Sequence, residues 1–447
     1  MGYPYFGTDG IRGEANTFPL TAEVILKIGM AAGRFFCKTS TNQHRVVIGK
    51  DTRRSGYMLE NALTAGLTAT GMNVHLLGPI PTPAIGLLTR SMRADLGVMI
   101  TASHNGYQDN GLKFFGPNGY KLPIETERQI EQLIDTDFPL ETPENIGRAE
   151  RIDGGLGRYI EFAKTTFPKN FRLTGLRIVI DCANGAGYKV APEILWELGA
   201  EVVPIGVSPN GFNINQKCGS TDPTLLIEKI KETRADVGLA LDGDGDRILV
   251  CDERGRVIDG DQLLALLATR LADKDQLNKN TVVATKMSNL GLQKYLEKKG
   301  IELIKASVGD RNISKEMLAG NLSLGGENSG HIIISKYSTT GDGIIAALQF
   351  LSALVESGKK ASEVANVFQP VPQILRNVRI IKGGDPTKDE KVQKIINKNI
   401  EKLNGKGQVF VRKSGTEPVV RVLVAGESLK FITEIANEIE NAVLMAA

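Results

Sequence analysis

A pattern of strand, helix, glycine and strand occurs three times along this chain. In each copy an apolar, strand-like run comes first, a helix-like stretch ends at a glycine, and a second apolar run follows directly. Such lengths suit strands that are joined through a crossover helix, so the copies predict three α/β domains with mixed sheets. The three copies span residues 46–49, 62–71 and 73–77; 177–180, 191–199 and 201–205; and 281–284, 290–300 and 301–304.

The last part of the chain follows a different pattern. After residues 369–372 come two helical stretches, a strand pair around Ser414 and an amphipathic segment over 429–443, which predict a smaller α+β domain. A chain of 447 residues is too long for one ordinary core, and its hydrophobic content of 41% allows each of several domains to bury one. We therefore predict four domains, over residues 1–150, 151–254, 255–367 and 368–447.

In the first domain, an apolar run over 98–102 ends in a serine, Ser103, among small, polar and turn-forming residues. A hydroxyl presented at the end of a buried strand suits a nucleophile. His104 follows at once and is predicted either to orient this loop or to share in proton transfer. Lys113 lies a few residues later, where it is either an acid–base partner or a surface charge.

In the second domain, an apolar run ends in three carboxylates at alternate positions, Asp242, Asp244 and Asp246. The glycines between them let the backbone curl, so that all three can direct hard oxygen ligands at one Mg²⁺ ion. A helix-loop-helix calcium site shares this spacing, but its sixth position requires glycine and here holds Arg247. The strand-like residues that follow also disfavour it, and a solvated acidic turn would not require three crowded carboxylates.

Three further loops favour phosphate or sugar. In residues 6–13, Arg12 lies among glycines where a guanidinium and backbone amides can approach an anion closely. A loop in the third domain offers partners for sugar hydroxyls, namely Glu327, Asn328, Ser329 and His331. A loop in the fourth domain supplies cations, hydroxyls and free amides for a phosphate, through Arg412, Ser414, Gly415, Thr416 and the nearby Arg421.

Taken together and in this order, the motifs resemble those of the α-D-phosphohexomutase superfamily, most closely its bacterial phosphoglucosamine mutases, over essentially the whole chain. The resemblance implies four domains around a central cleft. It also implies a phosphoryl group on Ser103, and one Mg²⁺ per subunit held by Ser103 and the three aspartates. The loop around Glu327 would contact the sugar, and the loop around Ser414 would hold the substrate's phosphate. A stretch with Asp51, Thr52, Arg53 and Ser55 resembles another family motif, but a helix cap explains part of it, so it is not predicted as catalytic.

The activity implied by the resemblance is the interconversion of glucosamine 6-phosphate and glucosamine 1-phosphate, feeding UDP-N-acetylglucosamine synthesis. Phosphoserine would give its phosphoryl group to O1, and the 1,6-bisphosphate would turn around before Ser103 takes back the 6-phosphate. A hexosamine or hexose 1,6-bisphosphate is thus expected as intermediate and activator. Arg12, Arg247 and the metal would stabilise the charge of the transferring group. Lys113 is the candidate for moving the proton, with a pKa lowered by desolvation beside the metal, and His104 and His331 are its rivals.

The sugar is predicted from Asn328, because an amide suits an amino or hydroxyl group at C2. A phosphomannomutase or phosphoglucomutase would keep every motif and differ in sugar preference. A serine hydrolase lacks the required glycine spacing around Ser103 and leaves the carboxylates unexplained. A non-catalytic sugar-phosphate-binding regulator would be expected to have lost Ser103 or one aspartate, and all are present.

Net charge and hydropathy limit the classes of partner that this chain is expected to bind. A net charge of +3 lacks the strong basic bias of a nucleic-acid binder, and no apolar run approaches the length of a membrane span. The beginning of the chain lacks a basic region followed by an apolar core, and the four cysteines are not spaced in pairs. We therefore expect a cytoplasmic enzyme whose partner is a phosphosugar, with neither nucleic acid nor membrane. A homodimer is expected from the resemblance alone.

Overall fold

The computed structural model describes residues 5–7, 9–37, 44–380, 384–414 and 419–447. The first sheet has six strands in the order β1-β5-β4-β2-β3-β6, with β2, β3, β4 and β6 parallel and β5 antiparallel to both of its neighbours. Its elements are β1 (Ile11–Glu14), α1 (Ala22–Cys37), β2 (Arg45–Lys50), α2 (Gly56–Ala69), β3 (Asn73–Pro79), α3 (Thr82–Ser91), β4 (Leu96–Ile100), β5 (Asp109–Phe115), α4 (Ile124–Ile134) and β6 (Ala149–Arg151).

The second sheet has five strands in the order β11-β10-β9-β7-β8, of which β8, β7 and β9 are parallel and β10 is antiparallel to β9. Its strands alternate with helices that cover the sheet. The elements are α5 (Gly155–Thr165), β7 (Arg177–Asp181), α6 (Val190–Glu197), β8 (Glu201–Ile205), α7 (Thr224–Thr233), β9 (Val237–Leu241), β10 (Ile248–Asp252) and β11 (Val257–Ile258).

The third sheet has four strands in the order β13-β12-β14-β15, with β15 antiparallel to β14. Its elements are α8 (Gly260–Asp273), β12 (Thr281–Thr285), α9 (Leu290–Lys298), β13 (Glu302–Ala306), α10 (Asp310–Gly320), β14 (Leu324–Gly326), β15 (Ile332–Ile334), α11 (Gly343–Ser357) and α12 (Ala361–Val364).

The fourth sheet is antiparallel throughout, with three strands in the order β16-β18-β17. Its elements are β16 (Gln373–Arg379), α13 (Glu390–Leu403), β17 (Gly407–Lys413), β18 (Val419–Gly426) and α14 (Leu429–Ala446). The predicted fold class, three α/β domains with mixed sheets and a smaller α+β domain, is therefore confirmed.

The glycines that end the repeated helices adopt the left-handed conformation expected at a helix C-terminus. Gly71, Gly199 and Gly300 have φ angles of +88°, +99° and +67°, which a residue with a Cβ adopts only with strain. Helix α2 differs from the prediction because it begins at Gly56, six residues before the expected start. The six added residues, 56–61, include Gly56, Glu60 and Asn61, which interrupt the apolar pattern.

Four of the predicted functional loops join two antiparallel strands, whereas Arg12 lies within β1 itself. The serine follows β4 and precedes β5, the three aspartates lie between β9 and β10, and Glu327 to Gly330 lie between β14 and β15. Ser414 lies between β17 and β18. Since the strand before each of the first three loops ends at the carboxyl edge of its sheet, packing the sheets side by side brings these loops together.

Each of the first three sheets has a buried apolar cluster of its own, which includes Ile11, Val179 and Val283 respectively, and the three sheets share a further one. One continuous cluster of buried side chains extends from Val47 and Phe115 in the first sheet through the second and third sheets to Phe368. The C-terminal sheet has a separate cluster, which includes Val422 and Ile439. The first three sheets therefore share apolar interfaces, which holds their loops in fixed relative positions. None of the described helices combines the length and hydropathy needed to cross a membrane.

Candidate active site

Loops from all four sheets face a cleft of about 1000 Å³. The predicted residues that line it are Arg12, His104, Arg247, Glu327, Asn328, Ser329, Arg412 and Arg421. Ser103 and the three aspartates lie in the floor, and their side chains are almost completely buried. The arrangement brings one hydroxyl, three carboxylates and four arginines to one place.

Ser103 is held in a conformation that is unusual for a residue with a Cβ. Its φ angle is +54°, in the left-handed region. The Thr101 hydroxyl accepts a hydrogen bond from the Ser103 backbone N–H at 2.9 Å. The Ser103 carbonyl accepts two more, from Arg53 Nη2 and from Asn215 Nδ2, both at 2.9 Å. These contacts stabilise a backbone geometry that directs the hydroxyl toward the second domain.

Arg53 and Asp51 form the buried support of this loop. The Arg53 side chain is 0% exposed, and its Nε donates to Asp51 Oδ2 at 2.8 Å. Its Nη2 also donates to the Asn105 carbonyl at 3.0 Å, and its Nη1 donates to the Gly106 carbonyl. Both residues were left out of the predicted site because a helix cap at Asp51 or Thr52 explained part of the motif. The N-cap of α2 is instead Ser55, which makes no side-chain cap hydrogen bond, and Arg53 supports the serine loop.

The Ser103 hydroxyl donates a hydrogen bond to Asp242 Oδ2 at 2.6 Å. Asp242 and Asp244 are 0% exposed and Asp246 is 3% exposed. Burial, together with the neighbouring Asp244 and Asp246, raises the pKa of Asp242 well above its usual range. For Asp246 burial acts in the same direction, but Lys113 and His331 outweigh it and lower the pKa.

The three carboxylates fit a divalent cation. Each offers an oxygen, and these oxygens lie within 4.8 Å of one another. Asp244 Oδ1 and Asp246 Oδ1 are buried and have no hydrogen-bond partner among the described residues. A buried carboxylate oxygen without a donor is costly, and a bound cation removes that cost.

Lys113 lies beside this cluster, in contact with two of its carboxylates. Its Nζ donates to Asp244 Oδ2 at 2.7 Å and to Asp246 Oδ2 at 2.9 Å. Burial alone would lower the pKa of Lys113, but Asp244 and Asp246 outweigh it and raise that pKa above its usual value. The two carboxylates therefore stabilise the ammonium form, and a lowered pKa beside a bound metal stays a prediction.

The two histidines occupy different environments. His104 lines the cleft, and its Nδ1 lies 3.4 Å from the Ser103 hydroxyl. Burial and the nearby Arg247 and Arg12 lower the pKa of His104 to about 4, so its ring is neutral near pH 7. His331 is 1% exposed, and its Nε2 accepts from the Gly341 backbone N–H at 3.1 Å. The expectation that His331 contacts substrate does not match this position.

His331 instead packs beneath the cleft against acidic partners. Its Nδ1 lies 3.6 Å from Asp246 Oδ1, and its Nε2 lies 3.8 Å from Asp310 Oδ2. Burial would lower the pKa of His331, but Asp246 and Asp310 outweigh it and raise that pKa. A Cβ on Gly341 would lie 2.4 Å from the ring, so this position requires glycine. His331 therefore positions Asp246.

Two arginines border the cleft near the aspartates. Arg12 pairs with Asp9 at 2.5 Å, so the structural salt bridge and the position in the cleft occur together. The Arg247 backbone N–H donates to Asp242 Oδ1 at 3.1 Å, and its Nε lies 3.8 Å from Asp246 Oδ1. Both guanidiniums can approach an anion that reaches the serine.

The sugar loop is a turn from Glu327 to Gly330, closed by the Gly330 N–H and the Glu327 carbonyl at 2.9 Å. Glu327 Oε1 accepts from the Gly309 N–H at 3.2 Å. The Ser329 hydroxyl lies 3.5 Å from Glu327 Oε2 and is exposed. The turn therefore presents a carboxylate, an amide and a hydroxyl at the cleft, as predicted.

The fourth domain contributes a paired cationic site. Arg412 and Arg421 lie directly opposite each other on β17 and β18, and Asn377 on β16 is the cross-strand partner of Arg421. Like charges directly opposite destabilise a sheet, and a bound anion offsets their repulsion. Asn377 lines the cleft and was missed, because a lone asparagine in a strand carries no sequence signal. Ser414 is buried next to this pair, and the predicted Gly415 and Thr416 lie outside the described residues.

A partly buried charge network, which the sequence did not predict, joins the first and third domains beside the site. Lys121 donates to both Asp9 and Asp310. Arg311 makes a two-pronged pair with Glu127, at 2.6 and 2.7 Å. Paired in this way, the charges fix the sugar loop's domain against the domain that carries Ser103.

Models of one family match the chain in four parts, described as phosphoglucomutase/phosphomannomutase α/β/α domains I, II and III and the C-terminal domain. They match residues 4–140, 157–255, 259–371 and 355–442. The phosphoglucosamine mutases of Paracoccus denitrificans and Zymomonas mobilis are each 56% identical to this chain over 447 residues, which is 100% of both sequences.

Solved structures show the same fold. A phosphoglucomutase/phosphomannomutase family protein from Burkholderia thailandensis has a TM-score of 0.82 at 24% identity, covering 100% of this chain and 98% of that one. The Aspergillus fumigatus N-acetylphosphoglucosamine mutase, solved with GlcNAc-6P and magnesium, has a TM-score of 0.68 at 20% identity. That match covers 99% of this chain and 96% of the fungal one.

Proposed function

The chain belongs to the phosphoglucomutase/phosphomannomutase family and acts as a phosphoglucosamine mutase, and on that premise we propose that Ser103 carries the phosphoryl group between O6 and O1 of the sugar. One observation carries the assignment of Ser103. Its hydroxyl lies 2.6 Å from Asp242 in a buried cluster of three carboxylates, at the floor of a cleft bordered by arginines.

The reaction balances through two transfers. In the first, O1 of glucosamine 6-phosphate attacks the phosphorus of phosphoserine 103, the bond from that phosphorus to Oγ breaks, and O1 loses its proton. In the second, Oγ attacks the phosphorus at C6 of the 1,6-bisphosphate, O6 leaves and regains a proton, and glucosamine 1-phosphate is released. Ser103 carries a phosphoryl group again at the end, so the cycle consumes nothing.

Asp242, Asp244 and Asp246 would hold Mg²⁺, with an oxygen of the phosphorylated Ser103 as a further ligand. Bound there, the ion neutralises charge on the transferring phosphoryl group. Arg12 and Arg247 approach the same group from the cleft side. Because the side chains of Arg53 and Asn215 already fix the Ser103 backbone, Oγ needs little reorganisation to become aligned.

The phosphate that is not reacting would bind at Arg412, Arg421 and Asn377 in the fourth domain. Such a site serves both orientations of the bisphosphate, because the phosphates at C1 and C6 exchange places when the sugar turns around. Glu327 and Ser329 would bind sugar hydroxyls from the third domain. Distributing these contacts over separate domains lets the sugar reorient without leaving the cleft.

A phosphorus NMR time course tests this function. The phosphorylated protein with Mg²⁺ and a trace of glucose 1,6-bisphosphate is given glucosamine 6-phosphate, glucose 6-phosphate and mannose 6-phosphate in parallel. We expect the glucosamine ester to be converted well ahead of the others, and Ser103→Ala to convert none. Faster conversion of glucose or mannose phosphate would reassign the sugar, while turnover by the alanine variant would refute the phosphoserine mechanism.

The finer expectations of the sequence analysis remain part of this proposal. They are Mg²⁺ as the resident ion, a sugar 1,6-bisphosphate as intermediate, a phosphosugar as the partner, a location in the cytoplasm, and a homodimer. The domain limits at residues 150, 254 and 367 are proposed in the same sense. A size-exclusion and light-scattering measurement of the purified protein decides the oligomeric state.

A further inference from the structure

The side chain of Asn328 is held by two carboxylates at the start of α8. Asn328 Nδ2 donates to Asp259 Oδ2 at 3.0 Å and to Asp261 Oδ2 at 3.1 Å. Asp261 is 0% exposed, and Asp259 is partly buried. Neither aspartate lines the cleft, whereas Asn328 does, so the two carboxylates hold the cleft residue from behind.

The backbone fixes this contact as well. The Asn328 carbonyl accepts from the Gly260 N–H at 3.0 Å, which ties the sugar loop to the first residue of α8. A Cβ on Gly260 would lie 2.1 Å from the Glu327 carbonyl oxygen, so the close approach requires glycine. The turn that carries Asn328 therefore cannot move away from Asp259 and Asp261 without breaking the start of the helix.

These contacts determine which way the amide faces. Asp259 Oδ1 accepts from the Gln262 N–H at 2.9 Å as the cap of α8, which leaves Oδ2 for Asn328. Asp261 Oδ2 also accepts from the Asn289 N–H at 2.7 Å, so it is the unprotonated oxygen whatever the charge of Asp261. Both N–H bonds of the Asn328 amide are thereby used, and an amide turned around would place its oxygen against two acceptors.

The Asn328 carbonyl oxygen is consequently the part of the amide left for a ligand. No donor from the described residues contacts this Oδ1. An amide oxygen only accepts hydrogen bonds, and the Asp259 carboxylate behind the amide adds negative potential. A ligand group that is charged and only donates is therefore preferred here over a neutral hydroxyl.

We propose that Asp259 and Asp261 determine the sugar specificity, by presenting Asn328 Oδ1 as a fixed acceptor for the protonated 2-amino group of glucosamine phosphate. This inference rests on the proposed function, since it names the contact that selects the amino sugar. An ammonium offers three donors and no acceptor, so it matches this oxygen and makes a charge-assisted bond. The 2-hydroxyl of a glucose phosphate forms a weaker, neutral bond at the same place.

The test compares kcat/KM for glucosamine 6-phosphate and glucose 6-phosphate in Asp259→Asn, Asp261→Asn and the double variant. Each change keeps the side-chain shape, but an amide behind Asn328 lets the Asn328 amide turn and present its N–H groups. We expect the preference for the amino sugar to fall about tenfold in the double variant, the size of one lost charge-assisted hydrogen bond. Asp259→Asn keeps a good helix cap, so it should fold normally and show a smaller fall.

Asp389→Asn is the matched control, since Asp389 caps α13 in the same way and does not contact Asn328. Its preference should equal that of the unmodified protein. An unchanged preference in the double variant, or an equal fall for both sugars, would overturn the inference and leave the proposed function standing. If the unmodified protein itself shows no preference for the amino sugar, the proposed function fails and the inference fails with it.

Discussion

Replacing Arg53 by methionine should loosen the serine loop from beneath. Methionine has similar length and fills the space, but it donates no hydrogen bonds. The change removes the contact to Asp51 at 2.8 Å, those to the Ser103 and Asn105 carbonyls at 2.9 and 3.0 Å, and the one to the Gly106 carbonyl. Asn215 still donates to the Ser103 and Asn105 carbonyls at 2.9 Å, and the Asp109 N–H to the Gly106 carbonyl at 3.3 Å, so the main loss falls on Asp51.

The magnitude follows from this distribution of contacts. Asp51 is 1% exposed, and from the described part of the chain it keeps two donors, the Thr101 hydroxyl and the backbone N–H of residue 53. Removing one partner of a buried ion pair destabilises a protein by about 3–5 kcal/mol. The left-handed φ of Ser103 costs about 1–3 kcal/mol of backbone strain, which the hydrogen bonds to the loop normally offset. With fewer of these hydrogen bonds, the loop should relax and move Oγ away from Asp242.

The effect on catalysis should appear in kcat. A misplaced nucleophile costs about 100-fold in rate. The proposed substrate contacts at Arg412, Arg421 and Glu327 lie in other domains, so KM should change little. A variant that raised KM and kept kcat would show that Arg53 acts on substrate binding instead.

The pH dependence adds an independent check. Burial raises the pKa of Asp51 although Arg53 acts to lower it. Asp51 is then more protonated in the folded protein than in the unfolded chain. Its contribution to the free energy of unfolding therefore falls as pH rises above the ordinary carboxyl pKa. Without Arg53 that pKa rises further, and Arg53→Met should regain stability as pH falls toward the ordinary carboxyl pKa.

The assay is hydrogen exchange of peptides covering residues 96–115, because a chain with four sheets need not unfold in one step. Arg53→Met, Asp51→Asn and the double variant form a cycle, with the exposed Arg254→Met as control. We expect the double variant to be more stable than Arg53→Met alone and to lack its pH dependence. Strict additivity, or a loss below about 1 kcal/mol in Arg53→Met, would refute a buried charge pair as the support of the loop.

Two further predictions concern carboxylates. Asp244→Asn should weaken Mg²⁺ binding at least about tenfold in isothermal titration calorimetry, because it removes a charged ligand. The surface variant Asp222→Asn is the control and should bind Mg²⁺ normally. Equal Mg²⁺ affinities in the two variants would show that Asp244 is not a metal ligand. Burial raises the pKa of Asp342 from its usual 3.8 to about 7, so its contribution to the free energy of unfolding is lost as pH rises through that range. The loss is at most about 4 kcal/mol. Asp342→Asn should flatten the melting temperature between about pH 4 and pH 8, and an unchanged slope would show that Asp342 is already ionised.

Much of the site could be predicted from the sequence because its reactive residues follow buried strands. Apolar runs predict such strands, and the carboxyl ends of parallel strands lie at one edge of a sheet. Ser103, the three aspartates and Glu327 were located in this way, and the structure brings their loops together around one cleft. The alternating spacing of the aspartates also indicated a cation, since their oxygens would otherwise repel one another.

The supporting contacts could not be predicted, because their partners are far apart in the chain. Arg53 lies 50 residues from Ser103, and Lys121 lies 112 and 189 residues from Asp9 and Asp310. In the sequence, a buried arginine such as Arg53 cannot be distinguished from an arginine on the surface, and the same holds for Lys121. Only the packing of the sheets shows that these side chains are buried and must therefore be paired.

The choice of proton-transfer residue also depends on the environment of each candidate, which the sequence does not give. Lys113 was the predicted candidate, with His104 and His331 as its rivals, but the structure places Lys113 and His331 at 2% and 1% exposure, in contact with the acidic cluster. Of the three, His104 lines the cleft, and its ring lies next to the Ser103 hydroxyl. A group that exchanges protons with O1 and O6 in turn has to reach both orientations of the sugar. That requirement favours His104 over two side chains that are sealed beneath the cleft and already paired with carboxylates.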